Sequence, residues 1–175
     1  MKPLLREHTT MLGVLVLGAA GGKLCLAEWK HTLRPGQAMR RIKRADIEPA
    51  EFWADSYVLD QAARQLDEYF SGTRTKFDIP LLFCGTDFQR SVWETLTHIP
   101  YGVWLSYSTF AEISGHPGSC RAVAGAVAAN PISIIVPCHR IIGRNLKLTG
   151  YAGTIPVKKS LLELEDTYHR CSLKY

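Results

Sequence analysis

Apolar positions along this chain change their spacing several times, and the changes mark out its elements. Two apolar runs, residues 11–19 and 24–29, flank Ala20-Gly21-Gly22-Lys23, whose glycines supply the positive φ of a tight turn. Residues 1–30 are therefore predicted to form a β-hairpin. Residues 31–55 carry Arg40-Arg41-Ile42-Lys43-Arg44 followed by Glu48, Glu51 and Asp55, which reads as an exposed connection. From Tyr57 to Phe70, the residues Val58, Ala62, Leu66 and Tyr69 recur at helical spacing, and Ser71-Gly72 provides a stop. Thr75 to Phe83 is predicted as a short strand, placed at a sheet edge by Pro80.

Beyond Cys84-Gly85 the pattern becomes mainly helical, giving an expected boundary between residues 1–83 and 84–175 and an α+β chain overall. Thr86-Asp87-Phe88-Gln89 fits a capping box, and Phe88, Val92, Leu96 and Ile99 form one helical stripe that ends at Pro100-Tyr101-Gly102. A short helix at Ser108–Ser114, a turn at Gly115-His116-Pro117-Gly118 and a second helix at Ser119–Ala129 make a helix-turn-helix. In that second helix every residue except Arg121, Val123 and Val127 is Ala, Gly, Ser or Cys. Apart from Arg121 it lacks the side chains that read base edges in the major groove, whereas a narrow, smooth helix suits sequence-independent binding in the minor groove. Ser119, Arg121, Ala122 and Ala126 are its candidate DNA-facing positions; an Ala-rich helix packed in a small core is the other reading. Ile132 to Val136 is too short for a helix and β-branched, so it is predicted to be buried and extended. The last helix opens near Pro156 with Val157, Leu161, Leu164 and Tyr168 as its buried stripe, and Glu165 falls on the same face.

Composition narrows the classes. The net charge is +5, and no Asp or Glu occurs from Ile113 to Leu162, a stretch that holds Arg121, Arg140, Arg144, Lys147, Lys158 and Lys159. Such a stretch is the electrostatic footprint expected where phosphate approaches. Five cysteines with no CxxC pair argue against a disulfide framework and against a zinc module; Cys25 and His31 are the sole suggestive pair in the N-terminal half, and no metal is predicted. Met11–Ala20 has the apolarity of a secretory signal, but Glu7 and His8 interrupt its charged flank and the run is too short to span a bilayer. A reducing compartment and a globular, soluble chain are expected.

Candidate chemistry concentrates in Asn130-Pro-Ile-Ser-Ile-Ile-Val-Pro137-Cys138-His139-Arg140. Pro137 removes an N–H and biases Val136 to extended geometry, so Cys138 begins a new backbone direction at the edge of the core. At the free pKa of ~8.5 few thiols are ionised at neutral pH, so a nucleophile here needs a base. Adjacent side chains diverge, so a helical turn at Cys138–Arg140 is expected, with a water joining thiol to imidazole and a carboxylate orienting the ring. Spacing alone leaves Glu165 either buried against His139 or solvated at the edge of its stripe.

The segment resembles the active-site signature of the O6-alkylguanine-DNA alkyltransferases, also called methylated-DNA–protein-cysteine methyltransferases. Flanking similarities extend the resemblance over about residues 86–165. It implies a small RNase H-like N-terminal α/β domain ahead of the helix-turn-helix domain. It also implies irreversible, single-turnover transfer of an alkyl group from O6 of guanine, and from O4 of thymine, in duplex DNA to Cys138, without a cofactor. By resemblance His139 is the base, Glu165 orients it and Asn130 is the hinge residue. Tyr107 assists the leaving purine and turns the nucleotide out, while Arg121 fills the gap left by the flipped base. Val136, Pro137 and the loop Tyr151-Ala152-Gly153 wall the guanine pocket. A cytoplasmic monomer is expected, or a nuclear one in a eukaryote. Thr154 and Ser160 depart from the family pattern, which has a second glycine and an aromatic at these positions.

Overall fold

The computed structural model describes residues 2–31, 36–48, 52–143, 148, 151 and 153–172, with the side chains of 52 and 167–172 outside that set. The predicted hairpin is present as β2 (Gly13–Ala20) and β3 (Lys23–Trp29), joined through Gly21 and Gly22 at φ 62° and 69°. Two successive left-handed residues match the right-handed twist of the strands they connect. An additional strand, β1 (Leu4–Thr10), completes an antiparallel sheet of order β1-β2-β3. Its polar sequence fits a sheet edge, which is why an apolar-run criterion passes over it.

Each face of this sheet carries a helix. Helix α1 (Gln37–Arg44) lies in the segment expected to be an exposed connection; Ala38 and Ile42, one turn apart, pack with Ala20, Cys25, Leu26 and Cys84. Four basic residues around that apolar pair hide its amphipathicity in the sequence. On the opposite face α2 (Phe52–Phe70) buries the expected Val58, Ala62, Leu66 and Tyr69 against Leu15, Leu17 and Leu24. The strand expected over Thr75–Phe83 does not form. That segment touches the sheet at one parallel bridge, where Leu24 N donates to Pro80 O and Leu82 N donates to Leu24 O, both at 2.8 Å. Pro80 lacks the N–H that would extend the ladder.

Past Cys84 the chain is helical: α3 (Asp87–Leu96), α4 (Tyr107–Ile113), α5 (Cys120–Ala128) and α6 (Ile155–Ser172), with two-residue strands β4 (Leu105–Ser106) and β5 (Ile141–Ile142). Both hydrogen bonds of the predicted capping box at Thr86 and Gln89 are present. Helix α4 is capped by Ser106, whose hydroxyl accepts from Thr109 N at 3.1 Å, two residues earlier than the expected start. Gly115 and Gly118, at φ 76° and 78°, make the turn into α5. The parallel pair β4·β5 sets Leu105 beside Ile141 and so brings the start of α4 next to the segment leaving Cys138.

Residues 132–136 are buried but not extended. Ala27 N donates to Pro131 O and Ser133 N to Ala27 O, which fastens the segment to β3, and Val136 N then folds back onto Ile132 O at 3.0 Å. Ile134 takes φ 69°, a conformation that costs a β-branched residue on the order of 1–3 kcal/mol. Its burial and the tie of the segment to β3 hold it there; every residue from Ala129 to Ile142 is buried.

Candidate active site

The turn that follows is shaped by Asn130. Its Nδ2 donates to Val136 O at 2.9 Å and to Ile132 O at 3.3 Å, and its Oδ1 accepts from Ile132 N at 3.0 Å. One amide thereby ties the end of α5 to the loop entering Cys138. After Pro137 the chain makes the expected helical turn, a 3-10 turn at Cys138–Arg140, and all three side chains are buried.

His139 and Arg140 converge on Glu165 of α6. His139 Nε2 stands 2.8 Å from Glu165 Oε1. Arg140 donates from Nε to both carboxylate oxygens, at 3.0 and 3.2 Å, and from a terminal nitrogen to Oε1 at 2.9 Å, while its other terminal nitrogen donates to Ile99 O. The hydroxyl of Tyr69 donates to Oε1 at 2.8 Å and Gly102 N donates to Oε2 at 3.1 Å. Glu165 is 1% exposed, which settles the open question of its burial.

These contacts fix the charges. Burial acts to raise the Glu165 carboxyl, but the charge and hydrogen bond of His139, then those of Arg140, outweigh it and hold it well below the usual carboxylate range. Burial pushes His139 down against the pull of Glu165, so its ring is neutral at neutral pH. With Nε2–H donating to the carboxylate, Nδ1 is the acceptor, and Nδ1 is buried with no hydrogen-bond partner among the described residues. A neutral imidazole with its Nδ1 lone pair unengaged by protein has the chemistry to accept a proton.

Burial also raises the Cys138 thiol, opposed by the Asn130 side chain, by the charge of Lys158 and by backbone N–H groups. Lys158 is completely buried on α6; it donates to Ile141 O, lies 5.9 Å from the Tyr107 ring centre, and is pushed down to about 8 by burial. Tyr107, half-buried at the start of α4, is raised to about 12 by burial with help from Cys138 and Cys120, so its phenol stays a proton donor. Cys138 itself is 2% exposed, deeper than the core-edge position expected from its place after a proline. Two cavities flank the cluster. One of about 330 Å³ is lined by Gly102, Trp104 and Glu165, the other of about 880 Å³ by Ile135, Pro137 and Arg140; Cys138 lines neither.

Of the expected pocket, Val136 and Pro137 are buried beside the thiol, Tyr151 is buried with its hydroxyl accepting from Trp29 Nε1 at 2.9 Å, and Gly153 lies against both rings. Ala152 lies outside the described residues. On α5, Ser119, Arg121 and Ala122 are exposed, but Ala126 is not: it is 3% exposed and its carbonyl accepts from Trp93 Nε1 at 2.8 Å, because α3 packs on that side. The open position one turn from Ala122 is Gly125, with nothing within 4 Å of where a Cβ would stand. The charged footprint also contracts. Arg140 and Lys158 point inward, Lys159 pairs with Glu163 at 3.6 Å, and Arg144 and Lys147 lie outside the described residues. Sequence reasoning missed the roles of Tyr69, Trp29 and Lys158 around the site; Tyr69 and Trp29 fall in apolar patterns, which mark burial and nothing more, and Lys158 was counted among the basic residues of the acid-free stretch.

Comparison with known proteins decides what the arrangement belongs to. A family profile for the DNA binding domain of 6-O-methylguanine DNA methyltransferase matches residues 87–167, and one for its ribonuclease-like domain matches residues 36–83. A methylated-DNA–protein-cysteine methyltransferase of Methanosarcina barkeri is 44% identical over 145 residues, 83% of this chain and 91% of the relative. The chain belongs to the methylated-DNA–protein-cysteine methyltransferase family. The Mycobacterium tuberculosis methyltransferase is 55% identical over 129 residues, 73% of this chain and 78% of that protein. Its crystal structure in complex with DNA superimposes with a TM-score of 0.77 at 40% identity, covering 94% of this chain and 93% of that one. The α+β fold expected from the sequence is the fold of this family. Among the described residues no helix is long and apolar enough to cross a membrane.

Proposed function

We propose that this protein repairs alkylated DNA by moving the alkyl group from O6 of guanine, and from O4 of thymine, onto Cys138, once per molecule. Residues 84–175 carry the reaction and residues 1–83 support it. Duplex DNA is bound as a monomer through the minor groove by the smooth exposed face of α5, with Arg121 entering the stack where the damaged nucleotide leaves it. The carrying observation is the neutral, buried His139, held by Glu165 at 2.8 Å with Nδ1 unpartnered among the described residues, one residue from a thiol beside Lys158.

Chemically, the thiol proton passes through a water to His139 Nδ1 and the resulting imidazolium is stabilised by Glu165. The sulfur lone pair then forms a bond to the alkyl carbon as the carbon–O6 bond breaks. The electron pair stays with guanine, whose ring nitrogen takes a hydrogen bond or proton from Tyr107. Because Cys138 is enclosed, entry of the purine requires its neighbours to move. The thioether product neither ionises nor leaves, which limits each molecule to one event. Intact-mass measurement after incubation with an O6-methylguanine oligonucleotide tests the reading: one added methyl on Cys138 is expected, and none in Cys138→Ala, which still binds DNA. Repeated turnover, or transfer persisting in Cys138→Ala, overturns it.

A further inference from the structure

Tyr69 belongs to α2, in the N-terminal part of the chain, which supplies none of the reacting groups of the proposed transfer. Its ring is fully buried, packed edge-on against Tyr101 at 5.9 Å and near Phe77 at 5.6 Å, and these contacts alone would explain an aromatic residue. They do not explain the hydroxyl. A phenol placed in a core has to find an acceptor, and this one donates at 2.8 Å to Oε1 of Glu165, the same oxygen that holds His139 Nε2. Oε1 also receives Arg140, so three side chains compete for one oxygen's charge.

We infer that Tyr69 is a positioning residue for alkyl transfer: its hydroxyl draws charge from Glu165 Oε1 and thereby limits how strongly the carboxylate holds a proton on His139. The inference rests on the proposed roles of Cys138, His139 and Glu165. The physical argument is one of sharing. A carboxylate oxygen with several donors is a weaker acceptor toward each of them, and an imidazolium is stabilised by whatever charge its oxygen retains. The titratable and charged groups facing the His139–Glu165 pair are Tyr69 from α2, Tyr101 from the loop after α3, Cys138 and Arg140 from the 3-10 turn, and Lys158 from α6. Arg140 and Lys158 repel a proton on His139, Glu165 attracts it, and Tyr69 weakens that attraction without bringing a charge.

Removing the hydroxyl therefore strengthens Glu165 as a partner for imidazolium and moves the acidic limb of the reaction to higher pH. Single-turnover alkylation of Cys138 by free O6-benzylguanine, followed by intact mass from pH 5 to 9, reads this without DNA binding. Tyr69→Phe, which keeps the ring, is expected to shift the limb upward by about 0.5–1 unit, with a rate roughly 3–10-fold lower on the acid side and an unchanged plateau. Placing 3-fluorotyrosine, a stronger donor, at position 69 should shift it the other way. Phe77→Leu loosens the same packing but spares the hydrogen bond and should leave the limb in place. A limb that stays put in both position-69 variants while Glu165→Gln moves it overturns the inference and leaves the reading of the site intact. Failure of the unaltered protein to become alkylated at Cys138 overturns both.

Discussion

Replacing Arg140 by methionine isolates the electrostatics of the site from its chemistry. In the native protein the guanidinium makes three contacts to Glu165 and one to Ile99 O, all away from water. Methionine fills similar volume and makes none of them. Glu165 then stays buried beside a neutral imidazole, with only Tyr69 and Gly102 N as further donors. Leaving one partner of a buried pair uncompensated costs about 3–5 kcal/mol. At roughly 2–4 °C of melting temperature per kcal/mol for a chain of this size, Arg140→Met should melt about 6–20 °C below the native protein. Glu165→Gln, which strands the guanidinium instead, should cost a similar amount. The double variant strands no charge and loses only hydrogen bonds of about 1 kcal/mol each, so its loss should fall short of the summed single losses by about 3 kcal/mol. Urea unfolding followed by tryptophan fluorescence measures all three. Additive losses would show that Arg140 stabilises by packing and would refute the account of the site as a charge cluster.

Acidification should destabilise the protein in two stages. His139 is depressed in the folded state, so below about pH 6.5 the unfolded chain binds a proton that the folded one refuses, and stability falls with pH; Glu165, also depressed, adds its loss below about pH 4.3. Thermal melts between pH 8 and 4 check the order, and His139→Gln should flatten the first stage. Arg121→Ala should slow repair of duplex DNA by about tenfold or more while leaving reaction with free O6-benzylguanine unchanged; equal losses on both would remove Arg121 from the DNA interface. Gly153→Ala would bring a Cβ to 2.8 Å from both Trp29 and Tyr151, so it should cost about 1–3 kcal/mol in urea and slow the benzyl reaction by displacing the pocket wall.

Features of this molecule that depend on near neighbours were legible in its sequence. Gly21-Gly22 announced the hairpin, Thr86 and Gln89 the start of α3, and the glycines at 115 and 118 the turn before α5, because in each case the residues that set the backbone are adjacent to it. The pairing of His139 with Glu165 was open on spacing and closed by resemblance to a family. What stayed hidden depends on contacts made across the fold. Ile132–Val136 has the composition of a strand, yet with Ala27 holding only one end of it there is no second strand to extend it, and it turns back on itself at Ile134. Arg41 looked like one residue of a basic surface patch, but it donates to Ala129 O at 2.8 Å and lies over Trp93 at 5.5 Å, which joins α1 to the end of α5. Lys158 and Arg140 counted toward a positive surface for the same reason: a sequence carries charge but not the direction in which the charge points. Tyr168, expected on the buried stripe of α6, lies outside the described side chains.

The depth of Cys138 bears on how long such a molecule remains useful. On the proposed function Cys138 reacts once and has to reach its target unspoiled, and peroxides, nitrosating agents and stray electrophiles all meet exposed Cys120 before they meet Cys138, which is 2% exposed. Loss of the protein to chance chemistry is then governed by how often the enclosure opens, not by how reactive the sulfur is. On the proposed function the same enclosure makes access depend on an everted purine for which the neighbours of Cys138 move aside.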